Sequence, residues 1–125
     1  MKIFIVDDSE ILRQRLKRLI SAVPNTQICG EAGEIDKAVE LIKKLTPDVI
    51  IIDVQLLDGL GFDVYDQVVS ENYKPVTIIL TNYPTQQYLK MCNARNIHYF
   101  FDKTADFEKI AQTLIEINSN KPETH

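Results

Sequence analysis

At 125 residues, 45% of them hydrophobic, the chain has the size and apolar content of a single domain built around one core. Eighteen acidic against fourteen basic residues leave a formal charge of −4, and the bases never gather into the dense stripe that a phosphate backbone needs, which argues against direct nucleic-acid binding. Cys29 and Cys92 stand far apart without ligand-spaced companions, no secretory cleavage pattern opens the chain, and no apolar run approaches about 18 residues; zinc, disulfides, export and the membrane all drop out, and a cytoplasmic setting is expected.

A first strand is expected over Ile3 to Val6, followed by Asp7-Asp8 and by Ser9 as the N-cap of a helix. That helix carries its apolar face on Ile11, Leu12, Leu16, Leu19, Ile20 and Val23, with Pro24 behind it, while Arg13, Arg15, Lys17 and Arg18 spread around its outside as a solvated face. Ile28 to Ala32 reads as the second strand, and Ile35, Val39, Ile42 and Leu45 mark a second helix closed by Pro47. The third strand, Val49 to Ile52, ends at Asp53, and Gly59 and Gly61 bracket the turn into a third helix from Phe62 to about Val69. Val76 to Leu80 ends at Thr81, and Pro84 precedes a fourth helix from about Thr85 to Asn93. His98 to Phe101 forms the fifth strand ahead of Asp102-Lys103; Thr104 then caps a last helix with Phe107, Ile110, Ala111, Leu114 and Ile117 on its inner face. The domain is expected over residues 1–118 and a polar, frayed tail over 119–125.

The strands are short and mostly continuous in apolarity, as in strands covered on both faces, and each is followed by an amphipathic segment. Right-handed crossovers then give a flavodoxin-like, doubly wound (βα)5 fold with a five-stranded parallel sheet in the order 2-1-3-4-5. Ligands bind such sheets beyond the carboxyl ends of strands 1 and 3, where the order reverses. Those are the ends that carry Asp7, Asp8 and Asp53, and Thr81 and Lys103 follow the next two strands.

Three carboxylates in one place repel one another by about 4 kcal/mol per pair at 4 Å and an effective dielectric near 20, so a cation is needed to offset them. Mg²⁺ suits the set: it takes one or two carboxylates, keeps waters and leaves room for phosphate oxygens. Asp8 and Asp53 read as direct ligands, Asp7 as a ligand through water, and the Gln55 backbone carbonyl as a further candidate. Asp53, at the rim of a hydrophobic strand, can attack phosphorus to form an acyl phosphate. Lys103 can pair with it at rest and with a phosphate oxygen afterwards, and the Thr81 hydroxyl can donate to the same oxygens. Taken singly, each has a plainer reading: Asp7-Asp8 as a helix cap, Asp53 as a metal ligand or turn residue, Lys103 as a surface lysine, Thr81 as an ordinary strand end. The coincidence of four suitable groups at four strand ends favours the chemical one.

In its motifs the chain resembles the receiver domain of bacterial two-component response regulators over nearly its whole length. Val6-Asp7-Asp8, Asp53 with Leu56-Leu57-Asp58-Gly59-Leu60-Gly61, Leu80-Thr81-Asn82 and Tyr99-Phe100-Phe101-Asp102-Lys103 carry the resemblance. It implies Asp7 and Asp8 as Mg²⁺ ligands, Asp53 as phosphoacceptor, Thr81 as switch hydroxyl and Lys103 as phosphate-binding lysine, with a histidine kinase, a phosphotransfer protein or a small acyl phosphate as donor. It also implies that chemistry is limited to the domain's own phosphorylation and dephosphorylation. Departures from the family pattern are Leu57 where proline is common, Phe100 where the switch aromatic is usually tyrosine, and Gln55 and Tyr83 at the positions that influence dephosphorylation, Tyr83 being bulky enough to shield an acyl phosphate. The expected output surface is the fourth helix, fifth strand and fifth helix, around Gln87, Tyr88, Lys90, Met91, Tyr99, Phe100 and Phe107, meeting a downstream protein or a second copy. A stand-alone receiver is the expectation, with a fragment of a larger transcription regulator as the alternative. An aspartate-nucleophile phosphatase would want an acid where Gln55 stands, and a flavin carrier would want a hydroxyl-rich loop where Asp7-Asp8-Ser9-Glu10 stands.

Overall fold

The computed structural model describes residues 1–120. Its elements alternate as β1 (Lys2–Val6), α1 (Glu10–Ser21), β2 (Gln27–Ala32), α2 (Ile35–Leu45), β3 (Val49–Asp53), α3 (Phe62–Val68), β4 (Val76–Thr81), α4 (Gln86–Ala94), β5 (Tyr99–Asp102) and α5 (Lys109–Ser119). The five strands form one parallel sheet in the order β2-β1-β3-β4-β5. A short antiparallel ribbon, Gln55–Leu56 against Gly59–Leu60, lies between β3 and α3 and was not anticipated. Of the tail expected over residues 119–125, Ser119 ends α5, and residues from 121 on lie outside those described.

Why the sheet is covered on both faces follows from the period of two along each strand. Phe4, Val6, Ile50, Ile52 and Ile79 point to one side, where α2, α3 and α4 bring Ile35, Ala38, Ile42, Phe62, Val64 and Cys92. Ile3, Ile5, Val49, Ile51, Ile78 and Leu80 point to the other, against Leu12, Leu16 and Ile20 of α1 and Ile110 and Leu114 of α5. Each such side chain taken fully out of water contributes about 1.5–3 kcal/mol, and every residue of β3 is buried. Continuous apolarity in β1, β3 and β4 is the sequence trace of this double coverage. β2, at the edge, is only half-buried along most of its length.

Side chains cap two helices, at Ser9 as expected and at Thr85, which was expected to open its helix and stands one position before it. Ser9 Oγ accepts the Leu12 N–H at 3.2 Å, and Thr85 Oγ1 accepts the Tyr88 N–H at 3.2 Å, each filling an orphan donor of the first turn. Thr104 does not cap α5. Asp102 Oδ1 instead accepts the N–H groups of Thr104 and Ala105 at 2.7 and 2.9 Å, a local turn that delays the helix to Lys109 and leaves Phe107 ahead of it. Ile11 is also off the apolar face, 74% exposed. With about 100° between successive residues, the stripe through Leu12, Leu16 and Ile20 turns its neighbour outward. Among the described residues, no helix is long and apolar enough to cross a membrane.

Candidate functional site

The carboxyl ends of β1 and β3 deliver the three acids to one spot. Asp7 continues the β1 ladder through its N–H to the Ala32 carbonyl at 3.0 Å, while its Oδ1 accepts the Ser9 N–H at 2.8 Å and turns the chain into α1. Asp53 closes the buried strand β3, and its Oδ1 accepts the Gln55 N–H at 3.2 Å. Asp7 and Asp53 are 1% and 4% exposed, Asp8 is half-buried, and one carboxylate oxygen from each lies within 4.8 Å of the others.

Lys103 reaches into this cluster from the loop after β5. Its Nζ lies 2.8 Å from Asp53 Oδ2 and 2.9 Å from Asp7 Oδ2. The second contact is an ion pair without hydrogen-bond alignment, so Asp7 Oδ2 is buried with no hydrogen bond. A buried carboxylate oxygen left in that condition, facing two other acids, fits a hard divalent cation, because all the donors are oxygens. Burial pulls the Lys103 ammonium down, but its pairing with Asp53 and Asp7 outweighs that and holds it above the usual lysine value. Burial likewise pushes the Asp53 carboxyl up to about 6; Lys103 and the Gln55 N–H hold it back and the Asp7 charge adds to the rise.

The sign of the Asp53 shift gives a pH test. A carboxyl raised in the folded state contributes stability that is complete below its unfolded value, near 3.8, and is lost as pH rises through about 6. Metal-free wild type should therefore lose about 2–3 kcal/mol of unfolding free energy relative to Asp53→Asn between pH 4 and 8. Urea melts of both proteins across that range check it, and parallel pH profiles would contradict it.

Thr81 ends β4 one residue beyond the Leu80 that pairs with Asp53, and it is fully buried. Its Oγ1 accepts the Tyr83 N–H at 2.9 Å, and its carbonyl accepts the Lys103 N–H at 2.9 Å, so it ties together the loops after β4 and β5. Gln55 is exposed, and its side-chain amide donates to Tyr88 Oη at 3.2 Å, joining the loop after Asp53 to α4. Phe100 stands apart from the acids: it is half-buried and packs with the α2–α4 core, as do Tyr88 and Met91. Tyr99 and Phe107 pack with the α1–α5 core instead, and Arg15 lies over the Phe107 ring at 4.6 Å. Leu57 and Tyr83 are exposed.

Two contributors escaped the sequence reading. In the sequence Gly61 marks only a turn, yet a Cβ there would fall 2.1 Å from the Asp53 carbonyl oxygen. Helical spacing puts Arg13 on a solvated face, yet its side chain is 17% exposed and its Nη1 donates to the Asp7 carbonyl at 2.6 Å. A single basic residue among four on one helix carries no local signal of such a contact.

Fold and site together define a doubly wound α/β domain with an acid cluster and a lysine at the switch point of its sheet. The family model of the response regulator receiver domain matches residues 3–115, and the chain belongs to that family. It is 31% identical over 121 residues to the sensory transduction protein LytT of Bacillus anthracis, covering 97% of this chain and 48% of that protein. Against a protein-glutamate methylesterase/protein-glutamine glutaminase of Pyrococcus horikoshii the identity is 36% over 87 residues, covering 70% of this chain and 23% of the relative. The chain thus spans about half or less of the length of these relatives. Among solved structures, the response regulator domain of Thermotoga maritima CheB superposes with a TM-score of 0.74 at 25% identity, covering 94% of this chain and 92% of that one. A LuxR-family DNA-binding response regulator from Staphylococcus aureus shares the fold with a TM-score of 0.83 at 21% identity, over 94% of this chain and 98% of that one.

Proposed function

We propose that this receiver takes a phosphoryl group onto Asp53 and converts that charge into a change of protein contacts. The observation that carries the reading is the Asp53 carboxylate, buried at the strand end, with Lys103 on one oxygen and two further acids within cation-sharing distance. Asp53 Oδ attacks phosphorus, the bond from phosphorus to a donor imidazole nitrogen or acyl oxygen breaks, and the leaving group departs with the bonding electrons. Asp7, Asp8 and Asp53, with the Gln55 carbonyl, would hold Mg²⁺, which supplies charge neutralisation for the incoming phosphoryl group. Lys103 trades its pairing with Asp53 for a phosphate oxygen. The Thr81 hydroxyl leaves the Tyr83 N–H to donate to another, drawing the loop after β4 inward.

The donor class is a histidine kinase or a histidine phosphotransfer protein. Support for docking at the site comes from exposed Ile11, which rims a depression of about 240 Å³ lined also by Arg15, Asn82, Lys103 and Thr104. Output runs through α4, β5 and α5 to a downstream protein or a second copy, and the Gln55–Tyr88 hydrogen bond supplies a direct tie from the acceptor loop to α4.

Incubation with acetyl phosphate and Mg²⁺ tests the reading by intact mass. Wild type should gain one phosphoryl group and lose it on hydroxylamine treatment, while chelation of Mg²⁺ or Asp53→Asn should abolish the gain. A gain that persists in Asp53→Asn would move the acceptor elsewhere, and multiple turnovers on generic phosphate esters would favour a phosphatase.

A further inference from the structure

The backbone of Asp7 is held by a side chain that the family motifs did not single out. Its N–H goes to Ala32, its Oδ1 to the Ser9 N–H, and its carbonyl to Arg13 Nη1 at 2.6 Å, so only Oδ2 remains for Lys103 or a cation. The carbonyl is the contact that regular structure cannot supply, because β1 has ended and α1 has not begun. Arg13 itself is aimed by Glu31 of β2, whose carboxylate accepts from Nε at 3.0 Å and also pairs with Lys17. Gly33 leaves the space: a Cβ there would lie 3.3 Å from Arg13 Nη1 and 3.4 Å from the Asp7 oxygen.

We propose that Arg13 is a positioning residue for cation capture, fixing the β1–α1 turn so that Asp7 Oδ2 faces the acid cluster, with Glu31 orienting the guanidinium. The inference rests on the reading of Asp7, Asp8 and Asp53 as a Mg²⁺ site. Its effect runs opposite to simple charge. A cation beside the cluster repels Mg²⁺, so removing Arg13 should tighten binding if charge alone mattered and weaken it if positioning matters.

Calorimetric titration of the purified full chain with MgCl₂ separates these. Arg13→Met should bind about 10–100-fold more weakly than wild type, the usual cost of losing a group that orients a ligand. Arg13→Lys, which keeps a donor without the fork, should fall between the two, and Glu31→Gln should also weaken binding. The Mg²⁺ concentration that gives half-maximal phosphoryl uptake should rise in Arg13→Met by the same factor as the dissociation constant, a readout that a merely structural role would not move. Unchanged or tighter Mg²⁺ binding by folded Arg13→Met overturns the proposal. If thermal melts show that this variant does not fold, wild-type affinity in Glu31→Gln overturns it. Failure of wild type itself to take up Mg²⁺ would instead remove the site reading on which it stands.

Discussion

Gly61→Ala is expected to cost about 3 kcal/mol or more, at the upper end for forcing atoms into a packed interior. Backbone strain is not the reason, since Gly61 sits at φ −59° and ψ −24°, which any residue adopts. What matters is room. The new methyl would lie 2.1 Å from the Asp53 carbonyl oxygen and 2.5 Å from Ile52 Cγ2, and both belong to the central buried strand β3. Flexible side chains could yield; a strand hydrogen-bonded to neighbours on both sides cannot do so cheaply. The same displacement would pull on the Val54 carbonyl that accepts the Gly61 N–H at 2.7 Å, and hence on Asp53. Chemical denaturation should show the loss, and phosphoryl uptake should fall with it even below the melting transition. A variant of wild-type stability would show that the turn into α3 can be repacked.

Lys103→Met should destabilise the metal-free protein by about 3–5 kcal/mol at neutral pH, the usual cost of removing one partner of a buried ionic group. Wild-type Lys103 sits between Asp53 and Asp7 at 2.8 and 2.9 Å, and the variant leaves those carboxylates facing each other. One of them can escape by taking a proton, and Asp53, already raised to about 6 by burial, is the group suited to do so. The deficit should therefore shrink as pH falls toward 5. Mg²⁺ should raise the melting temperature of the variant more than that of wild type, because the ion meets two charges that have lost their counterion. Equal Mg²⁺ shifts in the two proteins would mean that the acids do not share the ion. Phosphoryl uptake should drop in the variant even at saturating Mg²⁺, since no ammonium remains to meet the transferred oxygens.

How far the residue order alone carries depends on whether the cause is local. Runs such as Val49-Ile50-Ile51-Ile52 announce a strand covered on both sides, because only a doubly packed strand tolerates apolar residues at every position. The acids at Asp7, Asp8 and Asp53 are legible for a related reason: where each apolar run stops, the sheet edge begins, and the parallel order brings those edges together. Ser9 acts within one helical turn and is legible as a cap, whereas Thr85, expected to open the fourth helix, stands one position before it as its N-cap. Thr104 does not cap because Asp102 turns the chain there first: its Oδ1 accepts the Thr104 and Ala105 N–H groups and its carbonyl accepts the Asp106 N–H, so the helix starts only at Lys109. Ile11 was misread because one step around a helix separates core from solvent.

From the chain itself, then, come the alternation of strand and helix, the strand order that length and handedness allow, and the identity of the groups at the acid-bearing edge, all set by patterns a few residues long. Packing in three dimensions alone decides that Arg13 from α1 and Glu31 from β2 grip the turn that carries Asp7, and that Gly61 must lack a side chain to lie against Asp53. It likewise joins Gln55 to Tyr88 across 33 positions. These contacts join residues of different elements and turns, and no periodicity or local propensity encodes a meeting of that kind.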